Sequence, residues 1–143
     1  MAATTRTANA HWEGSLFEGA GNVSLDSSNV GRFDVTWASR AETPEGRTSP
    51  EELIAAAHST CFSMQLSNVL AGAGTPPQEV DTRADVDFVP GTGITEIRLT
   101  VRAKVEGIDN DAFVAAAEDA KENCPVSQAL TGTTITLDAA LDG

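Results

Sequence analysis

Ser49-Pro50-Glu51-Glu52-Leu53-Ile54-Ala55-Ala56-Ala57-His58-Ser59-Thr60-Cys61-Phe62-Ser63-Met64-Gln65-Leu66 is the stretch on which the fold turns. Ser49 is placed to cap a helix and Pro50 fits the first helical position. Glu51 and Glu52 complement the positive end of the helix dipole. The pattern predicts a helix over about residues 50–71, ended by Gly72 or Gly74. No charged residue occurs from Leu53 to Gly74. A helix that is apolar or small nearly all round is expected to be buried rather than laid on a surface. One sheet from the same chain covers one side, so a second copy of the chain is the simplest cover for the other. A homodimer with these helices at its centre is therefore expected. His58, Gln65 and Asn68 argue against a membrane span.

Upstream, Ala8 to Glu13 and Asn22 to Asp26 read as short strands joined through Gly14, Gly19 and Gly21. Arg32 to Trp37 alternates, which puts Phe33, Val35 and Trp37 on one face. Ala38 to Thr48 reads as a polar loop. Downstream, Val80, Thr82, Ala84, Val86 and Phe88 alternate with Asp81, Arg83, Asp85 and Asp87, and Ile97, Leu99, Val101, Ala103 and Val105 alternate with polar residues that include Glu96, Arg98, Arg102 and Lys104. Period two gives each strand one wet and one dry face. Pro90-Gly91-Thr92-Gly93 joins them as an antiparallel hairpin. A second helix follows over Asp111 to about Asn123, with Asn110 as its expected cap. A short helical piece then reaches Leu130, and a closing strand carries Ile135, Leu137, Ala139 and Leu141. This order is α+β with antiparallel sheets.

The chain has 143 residues, which suits a single domain over 1–143, and 41% of them are apolar. Acidic residues outnumber basic ones 21 to 9, a net charge of −12. That balance excludes the positive face a nucleic-acid binder needs and opposes docking on anionic membranes. No secretory pattern opens Met1-Ala2-Ala3-Thr4-Thr5-Arg6, so a cytoplasmic location is expected, where thiols stay reduced.

Two cysteines, Cys61 and Cys124, are too few for a disulfide scaffold. Cys61 lies mid-helix, where an inert buried thiol is the plain alternative to a reactive one. Cys124 precedes Pro125 and is placed as the N-cap of the following short helix, a position that activates thiols. Both lie on apolar faces turned toward one core, so packing of the two helices would allow a reversible disulfide if the Cα atoms come within about 4.4–6.8 Å. His58, one turn before Cys61, reads as a core or interface residue rather than a base, and His11 as structural. A zinc site is disfavoured because no close ligand pair occurs.

The stretch from Ser49 to Met64 resembles the first cysteine motif of the OsmC/Ohr family, the osmotically inducible and organic hydroperoxide resistance proteins. Asn123-Cys124-Pro125-Val126-Ser127 resembles its second, and Ala10-His11-Trp12-Glu13-Gly14 resembles the start of the OsmC branch. The resemblance implies an OsmC-like fold, with antiparallel sheets wrapped around long central helices in an intertwined homodimer. It also implies a cysteine peroxidase of the stress response that acts on organic hydroperoxides and, less, on hydrogen peroxide. It assigns Cys61 as peroxidatic and Cys124 as resolving, with Glu51 as the acidic partner of an arginine. Arg40 matches that arginine best, with Arg47 its rival. It implies a dithiol reductant, either a lipoylated protein or a thioredoxin-like one, and no cofactor.

The chemistry fits these types. Only a thiolate attacks a peroxide, and a free thiol with pKa about 8.5 is mostly protonated at neutral pH. Burial raises that value further, so a cation is needed. Arginine stays charged and offers a planar fork, which a carboxylate such as Glu51 holds in place. Glu51 and Cys61 are separated by about 15 Å along one helix at 1.5 Å per residue. Glu51 therefore has to act from a partner chain or through the arginine. Phe62 and Met64 are expected to shape the access pocket. Two other readings stay open: a non-catalytic dimer of this fold that binds a small ligand, and a general thiol oxidoreductase, which no C-x-x-C motif supports.

Overall fold

The computed structural model describes residues 2–142; Met1, within the N-terminal reading above, and Gly143 lie outside them. The chain forms two compact units, Met1–Glu52 and Leu53–Gly143.

The first unit holds the three-stranded sheet β1 (Asn9–Glu13), β2 (Ala20–Ser24) and β3 (Arg32–Val35), antiparallel in that order. The second strand therefore sits two residues earlier than its sequence pattern suggests. The alternation at 32–37 also stops short. Thr36 ends the strand and caps helix α1 (Trp37–Ala41), because its hydroxyl accepts from the Ser39 amide and Ser39 returns the bond to the Thr36 amide. This reciprocal capping box moves Trp37 from a strand to a helix and replaces the start of the expected loop. The Trp37 ring meets Phe17 edge-to-face at 5.5 Å.

Helix α2 (Pro50–Gly72) starts as its sequence directs, with Ser49 Oγ accepting from the Glu52 amide at 3.1 Å. Pro50, Glu51 and Glu52 belong to the first unit. In the second unit α2 is followed by β4 (Glu79–Val89), β5 (Gly93–Lys104), α3 (Asn110–Asn123), α4 (Pro125–Ala129) and β6 (Thr134–Leu141). β4 and β5 form the expected hairpin, whose turn places Gly91 and Gly93 at φ of 84° and 119°, a region where a side chain would be strained. The closing strand departs from the antiparallel expectation: β6 lies beside β5 in parallel, Ile97 opposite Ile135 and Leu99 opposite Leu137. The reason is the connection. A hairpin would reverse direction, whereas α3 and α4 carry the chain back before β6 begins.

β5 is thus central, and its alternate residues Ile97, Leu99, Val101 and Ala103 are all buried. They meet Phe62, Leu66 and Leu70 of α2, Phe113, Ala117 and Ala120 of α3, and Cys124 in one core. Within the single chain α2 buries the stripe His58, Phe62, Leu66 and Leu70, four residues apart, and leaves Ala57, Thr60, Met64 and Asn68 open. α3 is capped by Asp109, not Asn110: Asp109 Oδ1 accepts from the Ala112 amide at 2.8 Å. Asn110 instead accepts from the Leu141 amide and ties down the end of β6. No helix among the described residues is long and apolar enough to cross a membrane.

Leu66, fully buried between sheet and helices, makes the simplest test of this core. Leu66→Ala should cost about 2–5 kcal/mol, read from the urea midpoint at unchanged slope.

Candidate active site

The second cysteine is placed by a break in the helix. The Cys124 amide still donates to Ala120 O, which closes α3, but the residue itself adopts extended angles (φ −63°, ψ 122°) as the residue before a proline prefers. Pro125 then begins α4, so Cys124 is the N-cap foreseen from sequence, and its thiol makes no capping bond. The side chain is fully buried in the core. Cys61 is packed against the same core but keeps part of its surface open. Both are free thiols, and Cys124 is close enough to disfavour the Cys61 anion.

The electrostatics of Cys61 pull in opposite directions. Desolvation pushes its thiol up most, and the hydrogen bond with Cys124 adds to that, while a backbone hydrogen bond at Val126 favours the anion. Burial therefore opposes the reactivity that a peroxide-attacking sulfur requires.

Cys61 opens on a hollow of about 540 Å³ lined by Ala57, Thr60, Met64, Gln65, Asn68 and Pro125. Its size is within the range of small-molecule sites. Met64 lines it as expected, but Phe62 does not, because one position along α2 turns the ring into the core, where it is fully buried.

In the first unit the choice between the two arginines is decided for the ion pair. Arg40 Nε and Nη2 reach both carboxylate oxygens of Glu51 at 2.9–3.2 Å, a fork-to-fork pair. Glu51 is 6% exposed. α1, which the sequence pattern did not reveal, presents Arg40 in its last turn. Arg47 instead lies in the turn after Pro44, whose carbonyl accepts from its amide.

His58 is fully buried, as a core histidine would be, and its Nε2 lies 2.7 Å from Ser127 Oγ. Its Nδ1 has no hydrogen-bond partner among the described residues. Ser127 was not singled out from sequence; the only hint was that Cys124 and Ser127 are spaced like His58 and Cys61. His11 lies on exposed β1, 3.6 Å from Glu13.

The OsmC-like protein family model matches residues 43–138, which include both cysteine segments. This chain is a member of the OsmC family. It is 44% identical over 135 residues to Peroxiredoxin OsmC of Escherichia coli (strain K12), covering 92% of this chain and 93% of that protein. It is 29% identical over 121 residues to the organic hydroperoxide resistance protein OhrA of Bacillus subtilis (strain 168), covering 81% and 85%. Among solved structures, an organic hydroperoxide resistance protein OsmC from Legionella pneumophila superposes with a TM-score of 0.75 at 24% identity, over 98% of this chain and 99% of that one. An organic hydroperoxide resistance protein from Elizabethkingia anophelis gives 0.72 at 25%, over 97% and 99%. The family resemblance read from the two cysteine motifs is thus established.

Burial lowers the His58 pKa from its ordinary value near 6.5. The unfolded chain therefore binds a proton that the folded chain resists, and stability falls as pH drops below about 6.5. The urea midpoint should decline from pH 7.5 to 5.5, and His58→Leu should flatten that decline.

Proposed function

We propose that this chain is a two-cysteine thiol peroxidase that acts on organic hydroperoxides and less readily on hydrogen peroxide. The observation that carries this reading is the half-open Cys61 thiol, packed against the core that holds the buried Cys124 thiol, at the edge of a ligand-sized hollow. The peroxiredoxin and organic hydroperoxide resistance names of its relatives point the same way.

In this reading the Cys61 thiolate attacks the terminal peroxide oxygen. The O–O bond breaks, the alkoxide leaves and takes up a proton, and Cys61 becomes a sulfenic acid. The Cys124 thiol then attacks the sulfenic sulfur, the S–O bond breaks, and water leaves as the disulfide forms. A dithiol, lipoylated or thioredoxin-like, returns both sulfurs to thiols by exchange. Ala57, Met64 and Pro125 suit the alkyl group of an organic peroxide, while Thr60, Gln65 and Asn68 can meet its oxygens.

Because burial and Cys124 both oppose the Cys61 anion, one backbone amide is a weak counterweight, and a cation is required. Arg40, already oriented by Glu51, is assigned that role as the family resemblance implies. A homodimer is part of the proposal: it would cover the side of α2 left open by Ala57, Thr60, Met64 and Asn68. A chain that sediments as a monomer at micromolar concentration would overturn that part.

Reduced protein should consume cumene hydroperoxide and form a Cys61–Cys124 disulfide visible by mass spectrometry; no consumption refutes the proposal. Cys61→Ser should abolish turnover. Cys124→Ser should still react once and leave a trappable sulfenic acid. Arg40→Met should slow the first step at pH 7 by at least about tenfold, the effect of one pKa unit on the thiolate fraction.

A further inference from the structure

The feature left unused is the contact between His58 and Ser127. His58 is buried completely for a single hydrogen bond, and its second ring nitrogen has no partner. An unmet polar atom in a core is costly, and an apolar side chain of similar size would avoid that cost. The location of the bond gives the cost a purpose.

His58 and Cys61 are three residues apart on α2, and Cys124 and Ser127 are three apart across the start of α4. His58 meets Ser127 at 2.7 Å, and Cys61 lines one hollow with Pro125 and packs against the core that holds Cys124, so the two contacts form two rungs of equal spacing between the same elements. Val126, between them, packs against the same core as Cys61. α4 has five residues, opens on a proline without an amide donor, and has no side-chain cap. A helix that short holds no orientation by itself. One rung would leave it free to pivot about the sulfurs; two rungs fix it.

We infer that His58 and Ser127 are positioning residues that hold the first turn of α4 in register on α2, so that Cys124 meets Cys61 at bonding geometry. Neither touches the reacting atoms. The inference rests on the two-cysteine reading only for its peroxide step. In that step Cys61 sulfenic acid and Cys124 thiol give the disulfide and one water, and the rung sets how often the sulfurs are aligned. Disulfide geometry tolerates little displacement, and misplacement by about 1 Å can cost about a hundredfold in an intramolecular step.

The test uses the whole chain in glutathione redox buffers, which read the effective concentration of Cys124 toward Cys61 without any peroxide. Ser127→Ala should lower it by about tenfold or more, and Ser127→Thr, which keeps the hydroxyl, should stay near wild type. The double variant His58→Leu/Ser127→Ala removes both polar ends and so protects the fold; it should melt near the wild-type temperature yet keep the lowered effective concentration. With cumene hydroperoxide, Ser127→Ala should form Cys61 sulfenic acid at the wild-type rate but yield a larger sulfinic fraction. If Ser127→Ala and the double variant, both folded, match wild type in glutathione, the inference is overturned. If wild type ignores peroxide while the glutathione shifts remain, the peroxidase reading fails and the positioning role stands.

Discussion

Pro125 is the constraint on which the site depends. Its ring forbids the backbone of Cys124 from continuing α3 and starts α4 one residue later. A straight helix through this point would keep Cys124 on the α3 stripe of Phe113, Ala117 and Ala120. The break instead makes Cys124 the joint between two helices, closing α3 through its amide and preceding the first residue of α4. Parallel pairing of β6 with β5 follows from the same segment, because α3 and α4 form the crossover.

The two cysteines are buried unequally. Cys61 keeps an opening onto the hollow; Cys124 is fully buried in the core. Burial that protects a thiol also suppresses its ionisation, so stability and reactivity compete at Cys61. In the first unit the Arg40 guanidinium is held by three hydrogen bonds to the carboxylate of Glu51, which is itself nearly buried. Such a pair loses little freedom in use, because its geometry is already set.

Much of this was written locally. The Ser49-Pro50-Glu51-Glu52 start, the alternation of β4 and β5, the Gly91–Gly93 turn and the N-cap position of Cys124 each rest on a few neighbouring residues. Backbone sterics, capping and period-two burial act over that range. The misreadings were local contests with two good solutions. Thr36 could extend a strand or cap a helix, and the reciprocal bond with Ser39 decided for the helix. Asp109 and Asn110 could each cap α3, and Asn110 was taken by the Leu141 amide, 31 residues away.

The sequence by itself determined most of the elements, the two cysteine motifs and the family, because propensity, spacing and motif are properties of the chain. Only the tertiary structure decided that β6 runs parallel to β5, that Arg40 rather than Arg47 holds Glu51, and that His58 meets Ser127. Each of those is a pairing between segments distant along the chain or separated by a turn. Which partner a strand, a guanidinium or an imidazole finds is fixed by where packing brings the backbone, and one-dimensional periodicity carries no record of that.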